Sequence, residues 1–259
     1  MECLEMIVKM YDGSSLARAV IKPIYRLSGL KLDEKANTYR MVKLYNRISI
    51  VKAGDLVFDI GANVGNFTAA FLEKGARVVA VEPQPACAES MRKRFGNEKN
   101  LTIVRKGIGD RPGNLRLSVA GVSSTFSSDI KAYAEKEKKV VYEETQVECE
   151  ITTLDALIKE FGCPKYCKLD IEGFEKKALD GLSSKADVIS FEYMTFNPEK
   201  TQGCLARLSQ IGYTKFNYLI HGYDEKLESP QWLSYDEIIA MLGKNFGQAG
   251  RIDGDIFAK

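Results

Sequence analysis

From Asp55 onward the chain alternates short β-branched and apolar runs with amphipathic stretches, and this alternation limits the fold more than any other feature. Near-continuous apolar runs read as strands buried on both faces, and the stretches between them carry a helical period, so the pattern is that of βαβ units around a mainly parallel sheet. Leu56 to Ile60 is the first strand, followed by a helix from Asn66 to Lys74 that stops at Gly75. Arg77 to Val81 is the second strand; its helix opens at Pro85 and runs to Phe95 before Gly96. Leu101 to Lys106, Tyr166 to Asp170, Val188 to Tyr193, Thr214 to Ile220 and Asp255 to Ala258 complete the strands expected in the core.

The alternation breaks once. Asp110 to Asn114 has strong turn chemistry and leads into Leu115 to Val119, whose polar–apolar alternation suggests an added antiparallel strand. A Ser-rich loop from Ser123 to Ser128 follows, then a charge run over 131–144 that reads as a solvated helix or loop. Val147 to Ile151 is a further short strand. Thr152 with Asp155, and Ser234 with Glu237, have the spacing of helix capping boxes, and Phe174 to Leu179 and a stretch after Asn197-Pro198 are further helices. With no repeat and no linker, the division expected is an N-terminal helical extension, 1–54, on one domain, 55–259.

Of 259 residues, 37 are Lys or Arg and 35 Asp or Glu, and this near-neutrality speaks against a nucleic-acid partner held by bulk charge. The balance is uneven: residues 1–54 carry ten basic and five acidic side chains, so the head is basic and the body acidic. Six scattered cysteines without a CxxC pair read as reduced thiols. No apolar run approaches the roughly 18–20 residues of a membrane span, and the start lacks signal-peptide character. A cytoplasmic location without a membrane span is expected; the sequence leaves oligomeric state open.

The chemistry is concentrated in Asp59-Ile60-Gly61-Ala62-Asn63-Val64-Gly65-Asn66-Phe67-Thr68, directly after a strand and opening a helix. Gly61 and Gly65 let the backbone turn sharply and a ligand approach closely, while free amides at the helix start face the crevice. A hydride-transfer enzyme would place GxGxxG here; this chain has GxxxG with an acid two residues earlier. Asp59 would repel a pyrophosphate but accepts hydrogen bonds from an ammonium, such as the amino end of S-adenosylmethionine. Glu82, at the end of the second strand and followed by Pro83, is placed to accept from two ribose hydroxyls.

Four blocks resemble the class I S-adenosylmethionine-dependent methyltransferases, and within them the FkbM family: Phe58 to Gly65 with Val81-Glu82-Pro83; Gly107-Ile108-Gly109-Asp110 with Gly113; Ile151 to Asp155; and Lys168-Leu169-Asp170-Ile171-Glu172-Gly173-Phe174-Glu175. The last block and the terminal Gly254 to Ala258 favour FkbM over methyltransferases at large. The resemblance implies an α/β Rossmann-like fold with a seven-stranded, mainly parallel sheet, its last strand antiparallel, and helices on both faces. It also implies S-adenosylmethionine as cofactor and O-methylation of a hydroxyl on a small molecule or saccharide.

The cofactor-binding set expected from this reading is Asp59, Gly61, Ala62, Asn63, Gly65, Asn66, Thr68, Glu82, Pro83, Ile108, Gly109, Asp110 and Asp170. For Asp110 a contact to the adenine amino group and a plain turn role stand side by side. Asp170 and Glu172 are the catalytic candidates: Asp170 to position cofactor or acceptor, Glu172 as base or acceptor partner, since in-line methyl transfer to oxygen requires alignment and proton removal. Glu172 and Glu175 also suit the cap of the following helix. Glu192 lies on the same edge; no metal is expected. His221, the single histidine, reads as a surface or packing residue, and Tyr25, Tyr39, Arg40 and Tyr45 either roof the pocket or pack the head. A catalytically silent cofactor-binding scaffold is the alternative function.

Overall fold

The computed structural model describes residues 32–120, 123–125, 146–194, 197–221, 226–245 and 253–259. Tyr25, residues 126–128 of the Ser-rich loop and the 131–144 charge run lie outside the described residues. In chain order the elements are α1 (Leu32–Ile48), β1 (Leu56–Ile60), α2 (Asn66–Glu73), β2 (Arg77–Val81), α3 (Pro85–Phe95), β3 (Leu101–Val104), β4 (Gly107–Ile108), β5 (Gly113–Ala120) and β6 (Ser123–Thr125). They continue with β7 (Gln146–Thr152), α4 (Leu154–Phe161), β8 (Tyr166–Leu169), α5 (Glu175–Asp180), β9 (Val188–Met194), α6 (Pro198–Ile211), β10 (Phe216–Ile220), α7 (Tyr235–Asn245) and β11 (Asp253–Ala258).

Seven strands form the main sheet in the order β10-β11-β9-β8-β1-β2-β3. All neighbours run parallel except β11, which inserts antiparallel between β9 and β10 with Asp255 opposite both Glu192 and Leu219. The seven-stranded sheet with its antiparallel last strand is therefore present. Side chains alternate across it. Val57, Val78, Tyr166 and Phe257 face Leu44, Tyr45, Phe71 and Met91 on the side of α1, α2 and α3. Phe58, Ile60, Leu169 and Phe191 face Leu154, Leu179, Leu205 and Leu242 on the side of α4 to α7. Helices thus cover both faces, and the reversal of strand order beside β1 opens a crevice at the carboxyl edge, the place where such sheets take ligands.

The structure corrects several boundaries. The third strand stops at Val104, not Lys106, because Gly107 and Ile108 leave the main sheet and pair in parallel with β7. They join a separate four-stranded sheet, β4-β7-β5-β6, in which the expected antiparallel Leu115–Val119 segment pairs with β7. Ser123 to Thr125, expected as loop, form its edge strand against β5. The helix cap after β7 moves by one residue: Thr152 ends the strand, Thr153 Oγ1 accepts from Ala156 N at 3.1 Å, and Asp155 Oδ1 accepts instead from Ser183 N at 2.8 Å. The box at Ser234 holds, with Glu237 Oε2 accepting from Ser234 N at 2.7 Å. The sixth strand starts at Phe216, since the amides of Thr214 and Lys215 both donate to Lys259 O.

Tyr45 does not roof the crevice. It is 1% exposed, its ring lies 4.7 Å from Phe71 and 5.6 Å from Tyr166, and its hydroxyl is 3.2 Å from that of Tyr166, which in turn meets Ser190 Oγ at 2.6 Å. α1 is thereby keyed into the sheet face on the α2 side. Tyr45→Ala is expected to destabilise the protein by about 3–5 kcal/mol, the range for truncating a buried aromatic. A chemical denaturation curve with unchanged slope and a lower midpoint records it; a loss below about 1 kcal/mol would remove Tyr45 from the core.

Candidate active site

Gly61 begins the turn out of β1 with φ of 80°, and its amide and that of Ala62 both donate to Val81 O, at 2.9 and 3.1 Å. A Cβ on Gly61 would lie 1.8 Å from Asp170 O, so the turn rests directly on the chain leaving β8. Asn63 and Gly65 also adopt positive φ, and Gly65 enters α2 with no side-chain cap, which leaves the first amides of the helix for a ligand. Gly65 has a second reason to lack a side chain: a Cβ there would come within 2.6 Å of the Phe95 ring. Arg94, on α3, grips the loop from outside, donating to Val64 O and Asn66 Oδ1 at 3.0 Å each.

Six of the expected residues line one hollow: Gly61, Asn63, Glu82, Pro83, Asp170 and Glu172, joined by Leu117, Thr125 and Ile171. It encloses about 530 Å³ of empty space, part of it open to solvent. Glu82 is buried at its edge and accepts from Asn63 N at 2.9 Å and Gln84 N at 2.8 Å. Burial raises its pKa, against the opposing effect of those two amides.

Asp59 sits beneath the turn, buried, with Thr68 Oγ1 donating to its Oδ2 at 2.6 Å. Burial raises its pKa, with Lys168 and Thr68 pulling the other way. Ala62 belongs to the core on the α2 side, Asn66 is engaged by Arg94, and Ile108 is core on the opposite face. Gly109 packs against Ile151, and Asp110 lies on the surface, 3.3 Å from Lys177 Nζ, which lowers its pKa. None of these is among the residues lining the hollow.

Past β8 the chain turns through Glu172 (φ 52°) and Gly173 (φ 88°). A left-handed glutamate costs of order 1 kcal/mol and persists only where its surroundings fix it; here Thr125 Oγ1 holds Glu172 O at 2.8 Å. Glu175 is the residue that satisfies the turn, its Oε1 accepting from Ile171 N and Gly173 N, and burial lifts it to about 7. α5 has no side-chain cap from its N-cap residue Phe174; Glu175 serves the turn before it, and Glu172 lines the hollow.

Across Gly173 lies a second hollow of about 320 Å³ lined by Glu175, Phe191, Glu192, Asn197, Lys200, Thr201 and Cys204. Asn197 caps α6. Burial, together with Asp170, Glu172, Glu175 and Asp255, pushes Glu192 up to about 10. His221 is partnered: its Nε2 is 3.3 Å from Asp255 Oδ2. Among the described residues no group of three or more His, Cys, Asp or Glu side chains has the arrangement of a metal site.

Sequence reasoning missed Lys168. It is 1% exposed in the central strand β8, with Nζ 2.7 Å from Asp170 Oδ2 and 3.9 Å from the Phe67 ring centre. Burial opposes its charge, but Asp170, Asp255 and Asp59 outweigh burial and raise its pKa. The available signal was a lysine inside the apolar run Tyr166-Cys167-Lys168-Leu169.

Residues 59–245 match the family described as "Methyltransferase FkbM domain". The match takes in the glycine turn, both hollows and most of the sheet, and the chain belongs to the FkbM methyltransferase family, with S-adenosylmethionine as methyl donor. No curated protein matches the sequence. Solved structures with a similar fold include a precorrin-6y C5,15-methyltransferase from Geobacter metallireducens (TM-score 0.42, 12% identity, 87% of this chain and 86% of that one). A putative RNA methyltransferase from Pyrococcus horikoshii has a TM-score of 0.45 at 12% identity, covering 86% and 82%. A putative methyltransferase from Streptococcus mutans, in complex with SAH, has 0.38 at 9%, covering 82% and 93%.

The raised carboxyls set a pH dependence. Glu192 keeps its proton in the folded state up to about 10, whereas the unfolded chain releases it near 4.5. Its stabilising contribution is therefore complete below about 4.5 and is lost as pH rises toward 10. Glu192→Gln, permanently neutral, is expected to melt progressively higher than the wild type between pH 5 and pH 8, the gap widening by at least about 3 °C. A gap that stays constant would show that Glu192 ionises normally.

Proposed function

We propose that the chain transfers a methyl group from S-adenosylmethionine to a hydroxyl of a small molecule or saccharide, in a reducing cytoplasm. One observation carries the reading: the glycine turn, Glu82, Asp170 and Glu172 converge on one hollow at the carboxyl edge of the sheet. The residues present fit such a cofactor. Buried carboxylates suit a ligand with hydroxyls and a positive charge and would repel a pyrophosphate, while the uncapped helix amides suit the carboxylate end of such a ligand. When bound, S-adenosylmethionine supplies an electrophilic methyl on a sulfonium. Glu82 accepts from the ribose hydroxyls, as its remaining lone pairs allow. Asp170 and Glu172 would align an acceptor hydroxyl, and a carboxylate there would take up the hydroxyl proton.

Leu117 of β5 and Thr125 of β6, both in the second sheet, line the hollow, so that sheet is a wall an acceptor meets. The head, 1–54, is proposed as a separate extension on the transferase domain 55–259, with α1 anchored through Tyr45. Five described cysteines are free thiols, in keeping with a reducing compartment.

Calorimetric titration with S-adenosylhomocysteine is expected to show one site, and Glu82→Ala to weaken it about 10–100-fold, the cost of losing charged hydrogen bonds. Transfer of labelled methyl to a panel of polyols, saccharides and phenols then identifies the acceptor class. No binding by the wild type would overturn the reading; binding without transfer to any hydroxyl would assign a silent scaffold.

A further inference from the structure

Lys168 occupies a position that any apolar residue would fill. β8 lies between β1 and β9 at the middle of the sheet, and its other residues, Tyr166, Cys167 and Leu169, are fully buried. By register Lys168 stands opposite Asp59 on β1 and Ser190 on β9. An ammonium there loses nearly all hydration, and a buried ion pair seldom stabilises a fold better than packed hydrocarbon. Its surroundings account for the charge. Asp170 follows on the same strand, Asp59 comes from β1, Asp255 from β11, and the face of Phe67 from α2 closes the side. Glu192 on β9, pushed toward its neutral form, adds no full charge to the group at neutral pH.

Only one of these acids lines the larger hollow. Asp170 presents Oδ2 to Lys168 at 2.7 Å, and its Oδ1 has no hydrogen-bond partner among the described residues. Its backbone is equally constrained: Asp170 N donates to Ile60 O at 2.9 Å, and its carbonyl abuts Gly61. Without the ammonium, Asp170 Oδ2 would lose the contact that fixes its side chain under the glycine turn.

We propose that Lys168 is a positioning residue for cofactor binding: it holds the Asp170 carboxylate in one orientation under the glycine turn, so that Oδ1 is directed at the ligand. This rests on the reading of the hollow as the S-adenosylmethionine site. Lys168 touches neither cofactor nor acceptor; it acts through Asp170.

The test measures affinity for S-adenosylhomocysteine by calorimetry, beside thermal melting, for wild type, Lys168→Met, Asp170→Asn and the double variant. Lys168→Met is expected to weaken binding at least tenfold, and the double variant to bind no more weakly than Asp170→Asn alone, because both changes remove one interaction. A folded Lys168→Met with wild-type affinity, or losses that add in the double variant, would overturn the proposal. Should Lys168→Met fail to fold, the double variant, with that ion pair removed whole, carries the comparison: affinity equal to Asp170→Asn supports the proposal, and a further tenfold loss overturns it. Wild-type protein that does not bind S-adenosylhomocysteine at all would instead overturn the assignment of the site.

Discussion

The contact between Gly61 and Asp170 organises the functional edge. β1 and β8 are adjacent parallel strands that end at the same level, and the chain leaving each must turn away without colliding. The β1 turn passes so close to the β8 exit that a single methyl group on Gly61 would overlap the Asp170 carbonyl. From that contact the rest of the site follows. The turn is pinned to β2 through Val81 O, which brings Asn63 against Glu82; the β8 exit is pinned to Ile60, which brings Asp170 above Lys168. Glu82, Asp170 and Glu172 thus share one hollow because two backbones share one van der Waals contact.

A layered arrangement of charge lies under this contact. On the α2 face of the sheet the polar side chains Asp59, Lys168, Ser190 and Asp255 replace the hydrocarbon found lower in the same strands. The hydroxyls of Tyr45, Tyr166 and Ser190 form the boundary between the two regions. Apolar packing and the buried polar group are thus separated along the strand axis within a single face.

Much of this was legible in the sequence because it depends on local pattern. The seven core strands, the glycine turn, Glu82, and the Asp170–Glu172 block follow from short apolar runs, glycine placement and spacing. Features that depend on register were not legible. Thr152 and Thr153 both suit a cap, and only the pairing of Thr152 with Ile108 decides between them. The third strand reads as running to Lys106 until Gly107 and Ile108 are seen to join a different sheet. Lys168 was passed over because one lysine in an apolar run signals nothing until Asp59, Asp170 and Asp255 arrive from three strands. Ala62, Asn66 and Thr68 were expected in the site by adjacency along the chain, whereas the turn sends their side chains to the core, to Arg94 and to Asp59.

Glu175 and Glu192 have a consequence for energetics beyond stability. One is lifted to about 7 and the other to about 10, so the edge of the sheet enters neutral solution carrying dissociable protons. A cation settling beside these carboxyls favours their ionised forms and expels protons to the medium. The heat of such an encounter therefore contains the ionisation enthalpy of whatever buffer receives those protons, and titrations in buffers of different ionisation enthalpy separate the two parts.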